Sequence, residues 1–427
     1  MKLKSGISLM PLKGWGTMKF KTGRALACVA LVGGIVVAML PSVSSAAGKT
    51  VSDSTFNANF TTMKFLKPIA AKGKGSIAVI LPDTVSSARW ADFDAPAFKK
   101  AFAAAGLSKS QYIVQNALGS DQTQYTDAQA DIAKGAKVLV LTPLDSTTGA
   151  VIEAYAAARG VKVIDYDRLT LGGARTYYVS FNNVTVGTLI GKGLLSCITN
   201  WKVSAPVVFV MKGDPTDNNA TLFAEGYDKV LNGGGYNTTS GSANTILESV
   251  GTWTPSVALT DFEGAIAANP KINAVVTPND ENAGPIISHL QAAGLKPQVI
   301  PFTGQDATPV GIDNIIAGYQ CGTVYKPNWN EAQATVSLAI YLRAKIKPPA
   351  GLVNGTTVDP SATIKSFKNV PSILLSPEWV TASTVEATVI KDKVLASKDV
   401  CLSTAPTVAG DTSIPTYAAD CKTYGIK

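Results

Sequence analysis

An apolar segment at residues 77–81 is followed at once by a polar stretch that carries Asp83, Arg89 and Trp90. A carboxylate and a guanidinium make paired, charge-assisted hydrogen bonds to hydroxyl groups. An indole ring offers a large apolar face that suits the C–H face of a sugar ring. These three residue types, close together after a predicted strand, predict a site that binds a small polyhydroxylated molecule.

Polar residues also follow most of the other predicted strands, and in open parallel sheets ligands bind beyond the carboxyl ends of the strands. They are Asp167, Arg168, Asn182 and Asn183 in the first half of the chain, and Asp217, Asn219, Asp280, Gln305, Asp306 and Lys326 in the second. Asp217 and Asp280 each lie near the start of a predicted helix, so either could equally be an N-cap. Because both halves place polar groups at the same edge of their sheets, we predict a cleft between the two edges.

Strand-like and helix-like segments alternate along the chain, which is typical of βα units wound around a parallel sheet. In the first half we predict strands near residues 77–81, 112–115, 138–141, 161–164 and 177–180, with helices at 95–105, 122–134 and 147–159. In the second half we predict strands near 207–211, 246–250, 274–277, 299–302 and 323–325, followed by a helix at 330–345 and a strand at 372–375. The pattern predicts an α/β protein with two doubly wound parallel-sheet lobes, and its late elements indicate a return to the first lobe.

The first 46 residues have the composition of a secretory signal peptide. They contain six Lys or Arg and no acid, and an apolar run at residues 25–40 ends in Pro41 and small residues. We expect cleavage after Ala46 or Ala47, with Met18 as an alternative start, and no second apolar stretch is long enough to span a bilayer. A lipoprotein would need its lipid-bearing cysteine at the end of the apolar run, whereas Cys28 lies near the beginning. We therefore favour a freely secreted protein over a lipoprotein. Removing the leader lowers the net charge from +8 to about +2, so nothing argues for nucleic-acid binding.

The mature chain carries four cysteines, an even number in an exported protein, which predicts two disulfides with three possible connectivities. We favour Cys401 with Cys421, because the loop that they close is short and local, and this leaves Cys197 with Cys321. The chain has no CxxC pair and a single histidine, His289, so we predict neither a metal site nor a cofactor.

Six motifs in order, SSARW, YDR, DPTDNN, ND, TGQDA and TVYKP, resemble those of the periplasmic sugar-binding proteins of ATP-driven (ABC) importers, and most closely the D-xylose-binding branch. The resemblance covers about residues 75–393. It implies the type I periplasmic binding protein fold with three crossovers between lobes, a monosaccharide ligand and an ABC permease as partner. The ligand contacts that it implies are Arg89, Trp90, Asp167, Arg168, Asn219, Asp280, Gln305 and Lys326, with Asp83, Asp217 and Asp306 as further candidates. Relatives often carry Asp-Asn where this chain has Asn182-Asn183, so one carboxylate is missing near the hinge.

These observations together divide the chain into five parts. They are a signal peptide at 1–46, a tether or loosely packed arm at 47–75, a first lobe at 76–182 and 327–395, a second lobe at 183–326, and a cysteine-bearing tail at 396–427. We expect an exported monomer that binds an aldose, D-xylose first, with glucose, galactose or arabinose as alternatives.

Three other functions are alternatives to sugar capture. An enzyme is disfavoured because the chain lacks GxGxxG, GxxxxGK and GxSxG motifs, although Asp167 and Asp280 could form the carboxylate pair of a glycosidase. The sugar-sensing core of a repressor is disfavoured because a leader stands where a DNA-binding domain should be. A sensory co-receptor remains an alternative function. We expect Trp253, Trp329 and Trp379 to fill cores, with only Trp329 near the cleft.

Overall fold

A computed structural model describes residues 51–236, 246–401 and 421–427. The predicted signal peptide lies outside these residues. Within them, none of the helices combines the length and the apolar character needed to cross a bilayer.

The first lobe is built on a seven-stranded sheet, in the order β10-β11-β5-β4-β3-β1-β2, in which β10 alone runs antiparallel to its neighbour. Its strands are β1 (Ser76–Leu81), β2 (Tyr112–Asn116), β3 (Ala136–Leu141), β4 (Lys162–Tyr166), β5 (Tyr177–Phe181), β10 (Gly355–Val358) and β11 (Asn369–Leu375). Helices cover both faces of this sheet: α1 (Lys67–Ala70), α2 (Ala95–Ala104), α3 (Asp121–Ala133), α4 (Ser146–Ala157), α10 (Asn328–Arg343) and α11 (Lys365–Lys368). Strands buried on both faces read as continuous apolar runs, which is why β1 and β3 were recognisable in the sequence.

The second lobe has a smaller sheet, and its strands are β6 (Val208–Val210), β7 (Ile246–Glu248), β8 (Ala274–Val276), β9 (Thr323–Tyr325) and β12 (Glu378–Val380). β7, β6 and β8 pair in parallel, single bridges through Phe302 and Gln305 link β8 to β9, and β12 is antiparallel to β9. The strand predicted at 299–302 therefore contributes only a single bridge. The helices of this lobe are α5 (Asn183–Asn200), α6 (Asn218–Gly233), α7 (Pro255–Ala268), α8 (Asp280–Ala292), α9 (Pro309–Ile316) and α12 (Ser397–Val400).

The chain passes between the lobes three times. The crossings follow β5, β9 and β11, at residue 182 and at residues 326–327 and 376–377. The predicted two-lobed α/β fold with three crossovers is thereby confirmed. The assignment of all of 327–395 to the first lobe is wrong, because β12 pairs with β9 and residues 385–395 pack against the second lobe. A three-residue strand carried too little pattern for this crossing to be seen.

Residues 51–75, hereafter the arm, pack tightly against the first lobe. Phe56, Phe60, Met63 and Leu66 are all buried in the core that also contains α2 and α10. Gln333 on α10 fixes the arm further, since its Nε2 donates to the Asn57 carbonyl at 3.0 Å. The prediction of a tether or loose arm was therefore wrong: four apolar anchors three or four residues apart outweigh the polar residues between them.

Both disulfides have the favoured connectivity. Cys197 on α5 is bonded to Cys321, just before β9, and Cys401 is bonded to Cys421. Cys421 and Ile426 are buried beside the second lobe, so the end of the tail is pinned, as predicted. Residues 402–420 of the tail lie outside the described ranges.

Candidate functional site

The carboxyl ends of both sheets meet at a small polar cavity of about 20 Å³, hereafter the cleft cavity. Its walls are formed by Ser86, Ser87, Arg89, Trp90, Asp167, Arg168, Asp217, Asn219, Phe223, Trp253, Asn279, Gln305, Asp306 and Lys326. Nine of the eleven predicted site residues are in this set. The edges of the two sheets do face each other, as the strand-end pattern predicted.

Arg89 is the charged centre of the first-lobe wall. Its guanidinium, 1% exposed, makes a bidentate pair with Asp94 at 2.8 Å for both contacts, and it also contacts Glu331 at 2.7 Å and Asp167 at 2.6 Å. Burial acts to lower the pKa of Arg89, but attraction to these three carboxylates outweighs it and raises the pKa well above its ordinary value. Arg89 is therefore permanently charged, and its fork is fixed by its partners.

Asp167 joins the two lobes electrostatically. Its carboxylate lies 2.6 Å from Arg89 and 3.2 Å from Lys326. Burial acts to raise the pKa of Asp167, but attraction to these two cations lowers it well below its ordinary range. The residue has a left-handed backbone, with φ 61°, which is uncommon for non-glycine residues although Asp tolerates it better than most. The carbonyl of Asp167 accepts from Tyr178 Oη at 2.8 Å and Ser180 Oγ at 2.9 Å, and these bonds hold that backbone.

Asp217 combines two functions that the sequence left as alternatives. It caps α6, because the Asn219 amide donates to its Oδ1 at 2.9 Å, and its Oδ2 lies 3.2 Å from Arg168 Nε in the other lobe. The same Oδ2 accepts from Trp253 Nε1 at 3.1 Å. Helix capping therefore orients a carboxylate whose second oxygen faces the cavity.

Lys326 enters the cavity from the second crossover. Its Nζ lies 3.3 Å from Asp306 and 3.2 Å from Asp167, so one cation bridges carboxylates from both lobes. Burial acts to lower the pKa of Lys326, while those two carboxylates raise it above its ordinary value. Next to it, Gln305 Oε1 is buried and accepts no hydrogen bond from the described residues. Such an acceptor is suited to a hydroxyl donor.

The two lobes touch directly around this cavity. The Ala88 amide donates to Glu281 Oε1 at 2.8 Å, Asn279 Nδ2 donates to the Ser86 carbonyl at 2.9 Å, and Ser87 Oγ donates to Asp306 at 3.0 Å. These bonds join the loop after β1 to the loops of the second lobe. The structure is therefore that of a closed cleft.

Two predicted residues do not reach the cavity wall. Asp83 instead orders its own loop, because its carboxylate accepts from the amides of Val85 and Ser86 at 2.7 and 2.6 Å. Asp280 is fully buried behind the wall and accepts from Gln320 Nε2 at 2.7 Å and the Thr308 amide at 2.9 Å. The pairing of Asp167 with Asp280 that a glycosidase would need is therefore not formed across the cavity.

Five wall residues were not predicted, namely Ser86, Ser87, Phe223, Trp253 and Asn279. Trp253 corrects an explicit expectation, since it lines the cavity while Trp329 does not. Gly213 makes room for it, because a Cβ at that position would lie 2.3 Å from the indole ring. The signal in the sequence is the position of Trp253 in a loop after β7, whereas its aromatic type favours core packing.

The Asn182-Asn183 pair lies at the first crossover. Asn182 caps α5 by accepting from the Thr185 amide at 3.0 Å. Asn183 is buried and donates to Asn219 Oδ1 at 2.7 Å, which points the Asn219 amide nitrogen toward Asp167 at 3.2 Å. Among the described residues, no cluster of His, Cys, Asp and Glu has a metal-binding arrangement.

A sequence profile of the periplasmic binding protein domain family matches residues 77–346. The chain belongs to the periplasmic binding protein family. It is 36% identical over 285 residues to the D-xylose-binding periplasmic protein of Escherichia coli (strain K12), covering 66% of this chain and 81% of that protein. It is 33% identical over 336 residues to the multiple sugar-binding periplasmic protein SbpA of Azospirillum brasilense, and the match covers 76% of this chain and 90% of that protein.

Solved structures show the same fold. A carbohydrate transporter solute binding protein from Chloroflexus aurantiacus, in complex with D-glucose, superimposes with a TM-score of 0.64 at 26% identity, over 76% of this chain and 97% of that one. An ABC transporter solute binding protein from Clostridium phytofermentans with bound β-D-glucose gives the same score at 25% identity, over 76% and 99%. The family consists of solute-binding proteins, which confirms the prediction that this chain is not an enzyme.

Proposed function

We propose that this chain is an exported binding protein that captures a monosaccharide, D-xylose first, and delivers it to an ABC importer. The observation that carries the proposal is the cleft cavity, whose hydrogen-bonding groups and indole rings come from both lobes. The predicted leader and the periplasmic relatives support export.

The charges of the cavity wall favour a neutral ligand. Three cations, Arg89, Arg168 and Lys326, face three carboxylates, Asp167, Asp217 and Asp306, so the formal charges cancel. An ion would meet equal attraction and repulsion there, whereas hydroxyl groups can both donate to carboxylates and accept from cations. A polyhydroxylated neutral molecule uses every group of this wall.

The indole rings supply the apolar part of the recognition. Trp90 and Trp253 both line the cavity, and the guanidinium carbon of Arg89 lies 4.5 Å from the Trp90 ring centroid. Aromatic rings beside fixed hydrogen-bonding groups match a pyranose, which has C–H faces and a hydroxyl edge. The choice of D-xylose comes from the relatives, two of which bear that name at 36% and 35% identity.

The size of the cavity requires the lobes to move. A volume of 20 Å³ has room for about one water molecule. An aldose therefore enters only when the lobes separate and is then held as they approach. Enclosure is also needed for affinity, because micromolar binding of about ten heavy atoms demands about 0.8 kcal/mol per atom, well up the range for small ligands.

Calorimetric titration of the mature protein with D-xylose, D-glucose, D-galactose and L-arabinose tests this function. We expect D-xylose to bind at a 1:1 ratio with a Kd of about 10 µM or lower and to be recovered unchanged, in line with the affinity arithmetic above. Conversion of the sugar by the pure protein, or no binding of any of the four aldoses, would overturn the proposal.

A sensory function is the second candidate, and one relative favours it. The chain is 30% identical to the multiple sugar-binding periplasmic receptor ChvE of Rhizobium radiobacter and covers 97% of it. Uptake of labelled sugar by cells that lack this protein separates the two functions. Loss of uptake supports import, whereas normal uptake with a lost sugar-dependent response supports sensing.

A further inference from the structure

A second and larger cavity, of about 590 Å³, lies between the arm, α2, the start of α10 and residues 392–394; hereafter it is the arm cavity. It shares no wall residue with the cleft cavity. Its volume falls within the range of about 300–1,000 Å³ that is typical of small-molecule sites. The proposed capture of a sugar in the cleft does not use it.

Aromatic rings form the apolar part of the arm cavity. Phe60 comes from the arm, Phe93 from the segment before α2, and Trp329 from the first turn of α10. The indole nitrogen of Trp329 already donates to Tyr325 Oη at 3.3 Å. The bond fixes the ring, which packs partly against the first-lobe core and also lines the cavity.

Asn328 supplies a buried acceptor that no described residue uses. It lines the arm cavity and is 2% exposed. Its Nδ2 donates to Asp94 at 3.2 Å. Because a carboxylate only accepts hydrogen bonds, the amide atom that faces Asp94 must be the nitrogen. The opposite atom, Oδ1, is buried and accepts from no described residue. A buried acceptor left in this state is costly, and a ligand O–H or N–H donor that reached it from the cavity would satisfy it.

The charged residues around the arm cavity cancel. Lys100 and Lys393 are balanced by Asp92 and Asp392. Two of the four have partners already, since Lys393 Nζ donates to Asn59 at 3.3 Å and Asp392 accepts from Tyr325 Oη at 3.0 Å. A rim of both signs offers donors and acceptors to hydroxyl groups and gives no net attraction to an ion.

We propose that the arm cavity is a second binding site, for a neutral carbohydrate of disaccharide size. Aromatic faces for C–H groups, one buried acceptor for a hydroxyl and a rim of balanced charge are together the chemistry that recognises such a molecule. A purely aromatic ligand would leave Asn328 Oδ1 unpaired, and a charged ligand would meet two cations and two anions.

The arm cavity is connected to the cleft cavity through a short chain of hydrogen bonds. Asn328 donates to Asp94, Asp94 holds Arg89 by two contacts of 2.8 Å, and Arg89 contacts Asp167 at 2.6 Å. The cavity walls also come from both lobes, α2 belonging to the first and residues 392–394 to the segment that packs on the second. A ligand that touches both walls stabilises the closed arrangement, and by linkage it raises the affinity of the cleft for its own sugar.

The test is a calorimetric titration of the mature protein with xylobiose, after the cleft has been saturated with D-xylose. Ala103→Trp fills the arm cavity from the exposed side of α2, and Lys99→Trp, on the same helix but outside the cavity, is the matched control. We expect xylobiose to bind the wild type, to lose at least tenfold in affinity in Ala103→Trp, and to stay within twofold in Lys99→Trp. Failure of xylobiose to bind the saturated wild type, or equal binding in Ala103→Trp, would overturn the site.

Two further measurements separate the parts of the proposal. Binding of indole in place of xylobiose would contradict the carbohydrate assignment. In the wild type, but not in Ala103→Trp, saturating xylobiose is expected to tighten D-xylose binding at least fivefold, within the usual range of coupling. An unchanged D-xylose affinity would contradict the coupling. Because the xylobiose titration can also be run without any cleft ligand, it still reports if no aldose binds in the cleft.

Discussion

Arg89 Nη1 lies 2.6 Å from the carboxylate of Asp167, and the two side chains are 1% and 5% exposed. The same guanidinium is held by Asp94 and Glu331, so that one buried cation contacts three acidic side chains. Arg89 therefore supports the fold beside the cleft and positions Asp167, whose pKa it helps to lower. The sequence predicted a residue that clamps hydroxyl groups, and the structure adds this supporting contact network.

Replacing Arg89 is expected to reduce stability as well as sugar binding. Arg89→Ala removes the cation that contacts the buried Asp94 and Glu331 and leaves Asp167 with Lys326 alone, which costs about 3–5 kcal/mol. The free energy of unfolding in urea measures this loss. Arg159→Ala, at an exposed arginine on the first lobe, is the control and should change stability by less than about 0.5 kcal/mol. A loss below 1 kcal/mol for Arg89→Ala would show that the carboxylates are paired by other means.

Trp253 is expected to contribute to sugar affinity through its ring. Trp253→Ala removes an aromatic face from the cavity and leaves Asp217 Oδ2 without that donor, so the Kd for D-xylose should rise at least tenfold. Trp201→Ala, at the end of α5 and outside both cavities, is the matched control. Equal calorimetric affinities for Trp253→Ala and the wild type would place Trp253 among the packing residues.

Trp90 is expected to behave similarly, because its ring lies against the guanidinium groups of Arg89 and Arg168 at 4.5 and 5.4 Å. Trp90→Ala should weaken D-xylose binding at least tenfold. Because Trp90 is only 2% exposed, its stability is to be measured beside its affinity. A stable variant with wild-type affinity would contradict the predicted contact with sugar.

Asp280 is expected to make stability fall as the pH rises. Burial raises its pKa to about 7, against the hydrogen bonds from Gln320 and Thr308. Between pH 4 and 7 the folded state then binds more protons than the unfolded state. This stabilising contribution is fully present below the ordinary pKa of 3.8 and is lost as the pH rises through about 7.

Unfolding in urea at pH 5 and pH 8 checks this effect. Between pH 5 and pH 8 the free energy of unfolding of the wild type should fall by about 2–3 kcal/mol because of this residue. In Asp280→Asn this part of the pH dependence of stability should be absent. Glu225→Gln, at an exposed position, is expected to follow the wild type. Parallel curves for Asp280→Asn and the wild type would mean that Asp280 is ionised at both pH values.

The two disulfides are expected to differ in their contribution to stability. The Cys197–Cys321 bond closes a loop of 124 residues and the Cys401–Cys421 bond one of 20. On the chain-entropy account these are worth about 5 and 3 kcal/mol at most. The Cys197→Ser/Cys321→Ser double variant should therefore unfold at lower urea than the Cys401→Ser/Cys421→Ser one. The reverse order, or peptide mapping that links Cys401 to Cys321, would contradict this.

The sequence predicted the two lobes well because buried parallel strands and the polar residues after them leave strong patterns. It could not decide the direction of each side chain. Asp83 follows β1 as Asp167 follows β4, yet Asp83 turns back to the amides of its own loop while Asp167 is held toward the cleft by a left-handed backbone. Such outcomes depend on loop conformation, which residue type and spacing do not specify.

The arm and Trp253 show a second limit. Phe56 and Leu66 are diluted by polar neighbours, so average composition suggested a tether, although both are buried. Tryptophan usually fills cores, so its residue type predicts a core position for Trp253, yet a glycine at position 213 makes space for it at the cleft. In both cases, contacts distant in sequence decide the outcome.

Closure of the lobes around a sugar is the central claim, and small-angle scattering of the mature protein tests it most directly. Contacts such as Arg168 with Asp217 and Lys326 with Asp167 join the lobes, while the 20 Å³ cavity admits no sugar unless they separate. The account predicts a radius of gyration that is smaller at saturating D-xylose than without sugar. An identical radius in both states would contradict it, since the cleft would then be rigid and no closed form would distinguish loaded from empty protein.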